Sequence, residues 1–157
     1  MRIEATALRE VAATIIEAAG SAAEEGRKVA ARLVEANLTG HDSHGVIRVP
    51  QYVQAVGTGA LVPNRRAELI SNTGVAVALD GRFGYGQVVG EQAVEAAIAK
   101  AERHGVGLAA LRNAGVQRSG SSGRGRRLVS LMVETTIRDW ESVTRPIVNN
   151  LLRRKRS

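Results

Sequence analysis

A chain of 157 residues with 44% apolar and 24% charged side chains is sized and composed for one globular domain. The absence of cysteine excludes disulfides, thiolate zinc sites and cysteine nucleophiles, and 3% aromatics provide no row of stacking rings for single-stranded nucleic acid. The net charge of +7 is unevenly placed: the first 112 residues hold 12 basic and 12 acidic side chains, the last 45 hold 10 and 3, which marks a boundary near Asn113.

Glu4, Arg9, Glu10 and Glu17 interrupt the N-terminal stretch, so neither a signal peptide nor a membrane span is expected, and a cytoplasmic address follows. Thr6 is placed to cap a first helix whose apolar stripe is Leu8, Val11, Ala12, Ile15 and Ala19, with Gly20 as its stop. Ser21-Ala-Ala-Glu24 has capping-box spacing and opens a second helix, striped by Val29, Leu33, Ala36 and Leu38 and ending near Gly40. Gly57, Gly59 and Pro63 mark a loop. Ala67 to Ser71 and Val75 to Leu79 read as two strands joined by a turn at Asn72-Thr-Gly74. A long helix from Gln87 or Val88 to His104 has a small-residue face of Val89, Ala93, Ala96, Ala97 and Ala101, and Gly105 stops it. Val106 to Leu111 reads as a further strand.

Beyond Asn113 the pattern changes. Gly115 to Arg127 is a basic Gly/Ser/Arg-rich stretch expected to be mobile, Leu128 to Val133 reads as a strand, and a capped helix is placed from Thr144-Arg-Pro146 into Arg153 to Arg156.

Functional chemistry concentrates in Gly40-His41-Asp42-Ser43-His44-Gly45-Val46-Ile47-Arg48. It combines an imidazole able to move protons near neutrality with a planar guanidinium suited to gripping a carboxylate in bidentate fashion. His44, Arg48 and Tyr52 are spaced by four, so on one continuous helix they would share a face with a drift of about 40° per step. Pro50 lacks the N–H that such a helix needs, so the segment is either kinked there or is a turn leading into a helix that starts near Pro50. Asp42 is a candidate cap, and His41 or Asp42 could orient His44. His41 and His44 could share a metal, but a catalytic site wants a third ligand and His104 is distant, so no metal is assigned. Gly84-Tyr85-Gly86-Gln87-Val88-Val89-Gly90 has G-x-G-x-x-x-G spacing rather than the dinucleotide fingerprint, and is assigned a role in backbone geometry.

The string GHDSHGVIRVPQYV, followed in order by DGRFGYGQVVGEQAVEAAIAKAERHGVG and ALRNA, resembles the malate/L-lactate dehydrogenase-like oxidoreductases over about residues 5–113. The resemblance implies an α/β chain of α+β type, with N-terminal helices followed by a small, mostly antiparallel, non-Rossmann sheet and a covering helix. It implies hydride transfer between NAD or NADP and a small 2-hydroxy or 2-oxo acid, with His44 catalytic and beside the nicotinamide, and Arg48, Ser43 and Tyr52 binding substrate. A homodimer is implied as well, with no membrane partner.

The resembling pattern stops near Asn113, where the family continues with a second histidine motif and a long cofactor-binding region. The expectation is therefore a 1–113 family segment with an atypical 114–157 tail, arising from truncation or a frameshift or, as the milder alternative, a genuine divergent tail, and a chain without the motif that completes the active site. The alternatives are a non-catalytic remnant, or a nucleic-acid or acidic-partner binder acting through Arg118, Arg124, Arg126, Arg127 and Arg153 to Arg156.

Overall fold

The computed structural model describes residues 3–115; the tail strand, tail helix and basic cluster expected from the sequence lie outside the described residues. Helix α1 runs Ala5–Ala18 and α2 Ala23–Leu38. Two short 3₁₀ turns, Asp42–His44 and Val46–Arg48, lead into α3, Val49–Gly57. Strand β1, Glu68–Thr73, pairs with β2, Ala76–Asp80, and α4, Gly86–His104, leads to β3, Leu108–Arg112.

Both early helices end as their glycines require. Gly20 (φ +110°) and Gly40 (φ +81°) take left-handed backbone, and the following N–H reaches back over the last turn: Ser21 to the Ile16 carbonyl at 3.3 Å, His41 to the Ala36 carbonyl at 2.8 Å. Ser21 closes α1 through its backbone N–H, and because α2 starts one residue later its Oγ makes no capping bond to that helix. The residue preceding α2 is Ala22, whose N–H donates to Asn64 Oδ1 at 2.7 Å, while Asn64 Nδ2 donates to the Gly20 carbonyl at 2.9 Å. Glu25 of α2 closes the exchange by accepting the Asn64 N–H at 2.8 Å. Thr6 makes no cap either; α1 starts at Ala5, after Glu4, without a side-chain cap.

The buried face of α1 is Ala12, Ala13 and Ile16, one residue round from the expected stripe, and Val11 (58%) and Ile15 (42%) stay exposed. The cause is close packing on α2. Gly26 lies against the Ala13 carbonyl and the Glu17 side chain, and only a small-residue face on α1 permits that approach. On α2 the buried set is Val29, Ala30, Leu33 and Val34, while Leu38 is exposed. Val49 of α3, Leu61 and Tyr85 complete this core. Burying side chains as large as Ile16 and Leu33 contributes roughly 1.5–3 kcal/mol each.

The sheet has the order β1-β2-β3. β1 and β2 are antiparallel across a two-residue turn, Gly74-Val75, with Thr73 opposite Ala76, and an irregularity between Leu69 and Ser71 shifts the register. β2 and β3 are parallel, Ala76 opposite Leu108 through Asp80 opposite Arg112. The expected mostly antiparallel sheet is therefore corrected to a mixed one among the described residues. A two-residue hairpin turn reverses the chain, whereas the long passage through α4 brings it back in the same direction. α4 lies against β2 and β3 with Val89 and Ala93 buried, and Gly107 passes flush against the Ala97 carbonyl, which the small-residue face of α4 allows. Gly105 closes α4 at φ +78°.

The glycine-rich segment after β2 is pressed against the end of β3. Gly81 N–H donates to the Arg112 carbonyl, Phe83 N–H to the Asn113 carbonyl and Gly115 N–H to the Gly84 carbonyl, each at 2.7 Å. Asp80 anchors this seam. It accepts from the Arg82 N–H at 2.9 Å, Arg112 Nε at 2.8 Å and Asn113 Nδ2 at 3.0 Å. Burial pushes its pKa up, but the Arg82, Asn113 and Arg112 donors together outweigh that and hold the carboxyl below the usual range.

Two outcomes follow from these contacts. Asn64→Ala removes the α2 cap and puts Cβ-bearing alanine in left-handed backbone (φ +61°), so denaturant unfolding is expected to show a loss of about 1–2 kcal/mol, with Asn64→Gly milder. Because the folded pKa of Asp80 is depressed, its stabilisation is present above the unfolded value and is lost as pH falls through the folded pKa. Asp80→Asn is expected to flatten the acid limb of stability against pH.

Candidate functional site

The site loop leaves α2 through Gly40 and is held by Asn37, in the last turn of that helix. Asn37 Oδ1 accepts the Val46 N–H at 2.9 Å and Asn37 Nδ2 donates to Asp42 Oδ1 at 2.6 Å, so one amide ties both 3₁₀ turns. Gly45, between the turns, packs directly on this amide; a Cβ there would overlap it. Asp42 is thus gripped by a side chain and does not cap the turn. The extended Gly45 (ψ −155°) also breaks any continuous helix, so His44, Arg48 and Tyr52 do not share one helical face. Of the two forms open to the sequence, the segment takes the turn leading into a helix, with Pro50 at the start of α3.

Ser43 joins the two charged-site candidates. Its Oγ is 3.0 Å from His44 Nδ1, and its carbonyl accepts Arg48 Nε at 2.6 Å. Arg48 Nη1 also donates to Gln51 Oε1 at 3.0 Å, which leaves both Nη2 hydrogens and the second Nη1 hydrogen for a ligand. His44 is exposed, and among the described residues its Nε2 makes no hydrogen bond. His41 is exposed too, with its carbonyl accepting the His44 N–H at 2.9 Å. Among the described residues no three His, Cys, Asp or Glu side chains come together as a metal-binding group.

Tyr52, on α3, is built differently from the exposed loop residues. Gln87 Nε2, from the first turn of α4, donates to its hydroxyl at 2.8 Å, and its ring meets that of the fully buried Tyr85 edge-on, centroids 5.6 Å apart at 76°. Burial pushes the Tyr52 phenol pKa up, while the Gln87 hydrogen bond and the Arg48 charge pull against it. Burial likewise raises Tyr85.

The structure thus connects Ser43, His44 and Arg48 directly and brings Tyr52 close enough to Arg48 for charge to act. It also reveals Asn37, Gln51, Gln87 and Tyr85, none of which the sequence reading assigned to the site. Asn37 carried a faint signal, a polar residue one turn before a stop glycine and just ahead of the loop. Gln87 and Tyr85 lie within DGRFGYGQVVGEQA, a segment whose sequence shows no partner for either.

Gly81 and Gly84 are the positions where a cradle for dinucleotide phosphates would have to open. Added Cβ atoms at Gly81 and Gly84 would meet the Asn113 carbonyl, Val89 and the Arg65 backbone at 3.0 Å, so that space is filled by the protein itself. The segment does not fit a pyrophosphate, and its glycines serve close backbone packing.

Comparison with known proteins settles the lineage, because residues 3–123 match the malate/L-lactate dehydrogenase family. The chain belongs to that family. The match runs past Asn113, where the sequence reading ended it. The chain is 38% identical over 112 residues to hydroxycarboxylate dehydrogenase B of Escherichia coli O157:H7, covering 71% of this chain and 31% of that protein. Malate dehydrogenase from Pyrococcus horikoshii OT3 has a similar structure, with a TM-score of 0.69 at 32% identity over 73% of this chain and 33% of that one. So does sulfolactate dehydrogenase from Methanocaldococcus jannaschii, with a TM-score of 0.69 at 34% identity over 73% and 33%. This malate/L-lactate dehydrogenase family chain therefore spans about a third of the length of the relatives it matches.

Removing the Asn37 amide is expected to release the loop. Asn37→Ala leaves the Val46 N–H without its partner and is expected to cost about 1–3 kcal/mol in denaturant unfolding. Gly45→Ala, which overlaps the same amide, is expected to broaden or shift the NMR resonances of residues 42–48 while leaving those of the sheet in place.

Proposed function

We propose that residues 37–52 form the substrate side of a dehydrogenase acting on 2-hydroxy or 2-oxo acids. The observation that carries the reading is Ser43, which holds His44 through its hydroxyl and Arg48 through its carbonyl, placing a proton carrier and a carboxylate fork on one short loop.

Arg48 binds the substrate carboxylate. Its Nε and part of Nη1 are engaged by Ser43 and Gln51, so the guanidinium plane is set before a ligand arrives and the Nη2 side faces the anion. His44 is the acid and base: Nδ1 rests on Ser43, and Nε2 gives a proton to the developing alkoxide during reduction of a 2-oxo acid or takes the hydroxyl proton during oxidation. The Ser43 hydroxyl follows the tautomer, donating to a bare Nδ1 and accepting from a protonated one. Tyr52 adds a hydrogen bond to the substrate.

NAD or NADP, implied by the family, would supply or remove the hydride, and on the family's own non-Rossmann fold His44 would be the residue of this chain beside the nicotinamide. The Gly81 and Gly84 segment, filled by the protein's own backbone and side chains, would not hold its phosphates. Homodimerisation and a cytoplasmic address belong to the same proposal; among the described residues, no helix is long and apolar enough to cross a membrane.

The test uses a relative carrying the same GHDSHGVIR string. Replacing the histidine that matches His44 by alanine is expected to lower turnover of 2-oxo acids by about 10²–10⁴-fold. Replacing the arginine that matches Arg48 by lysine is expected to raise KM about tenfold or more with a smaller effect on kcat. Unchanged turnover in the histidine variant would overturn the assignment.

A further inference from the structure

Gln87 has no role in the chemistry above, yet its position decides which way a hydrogen points. Its amide nitrogen lies 2.8 Å from the Tyr52 hydroxyl, from an element 35 residues away in sequence. Its Oε1 is buried without a hydrogen-bond partner among the described residues. The reverse amide orientation would put Oε1 on the phenol and leave both amide hydrogens in the buried position, which is the harder arrangement to tolerate. With the nitrogen facing Tyr52, the phenol oxygen accepts and its own hydrogen must go elsewhere.

We propose that Gln87 is the positioning residue that turns the Tyr52 hydroxyl into a donor toward the ligand, committing its hydrogen to an acceptor oxygen of a bound 2-oxo or 2-hydroxy acid. This rests on the substrate-side reading of residues 37–52 and deepens it. Tyr85 fixes the remaining freedom: its buried ring meets Tyr52 edge-on, so Tyr85 and Gln87, two residues apart at the start of α4, hold the phenol by ring and by oxygen. Arg48 is the charged group acting on the phenol, and it too offers only donors. A site with donors from both residues selects an acceptor-rich anion, a carboxylate with a neighbouring oxygen.

The direction of the hydrogen has a measurable sign. A donor to the phenol oxygen stabilises the phenolate, so removing it raises the titration midpoint; an acceptor of the phenol hydrogen stabilises the neutral form, so removing it lowers the midpoint. The chain has two tyrosines, Tyr52 and Tyr85, and incorporation of 3-fluorotyrosine gives each one a ¹⁹F resonance, with Tyr85→Phe making the assignment. Gln87→Met is expected to raise the Tyr52 midpoint by about 0.5–1 pH unit and leave Tyr85 in place. An unchanged or lowered Tyr52 midpoint, with Tyr85 unmoved, overturns the proposal.

A measurement on the unsubstituted chain covers the case in which Gln87→Met unfolds and both resonances move to exposed values. A Gln87 side-chain amide hydrogen protected from exchange, with an NOE to the Tyr52 ring, supports the assignment, and a rapidly exchanging amide without that NOE overturns it. Pyruvate is the ligand probe. It is expected to shift the Tyr52 resonance and raise its midpoint further, because a donated hydrogen holds the phenol neutral. No response to pyruvate overturns the carboxylate-site reading, and the Gln87→Met titration then decides the hydrogen direction by itself.

Discussion

Asn37 is the contact on which the rest of the site depends. A single side-chain amide, using its oxygen on Val46 and its nitrogen on Asp42, ties together two turns that lie between α2 and α3. The glycine between the turns is there because the amide fills the space a Cβ would need. Ser43, His44 and Arg48 then acquire fixed relations through bonds inside the loop. The exposed part of the site is thus anchored to Val29, Leu33 and Val34, the best buried stretch of α2, by one residue at that helix's last turn.

The second support comes from the opposite side. Tyr85 belongs to the helical core and Gln87 begins the helix that covers the sheet, so Tyr52 is held by residues that answer to a different layer from the loop. Arg48 and Tyr52 stand four apart in sequence but are positioned by separate structural causes. Any movement of α4 reaches the phenol before it reaches the guanidinium.

How much of this could be read in advance depended on range. The helices, the β1–β2 hairpin, the covering helix and the strand after it were legible because period, glycine stops and turn residues are local signals. Their details failed where a distant residue intervened. Ser21 has the spacing of a cap, but its Oγ makes no capping bond, and the partner at the start of α2 is Asn64, 42 residues beyond Ala22. The apolar stripe of α1 was misplaced by one residue because Gly26 set the approach of the helices. Parallel pairing of β2 with β3 was hidden because periodicity reports a strand but not its neighbour. At the site, the residues with distinctive chemistry, His44, Arg48, Ser43 and Tyr52, stood out in the sequence, whereas Asn37, Gln51 and Gln87 are ordinary amides whose importance exists only through their partners.

The Asn64 clamp also divides α2 by the range of its contacts. α1 and α2 are neighbours in the chain and can meet early, since contacts of short sequence separation cost little loop closure. The N-terminus of α2, however, gains its partner only when a segment some forty residues downstream has been laid across it. The first turn of α2 therefore takes its side-chain partner from far along the chain, while the far end of the same helix, which carries Asn37, makes its side-chain bonds within ten residues. One helix thus has a gradient of contact range along its length, with its long-range end away from the chemistry.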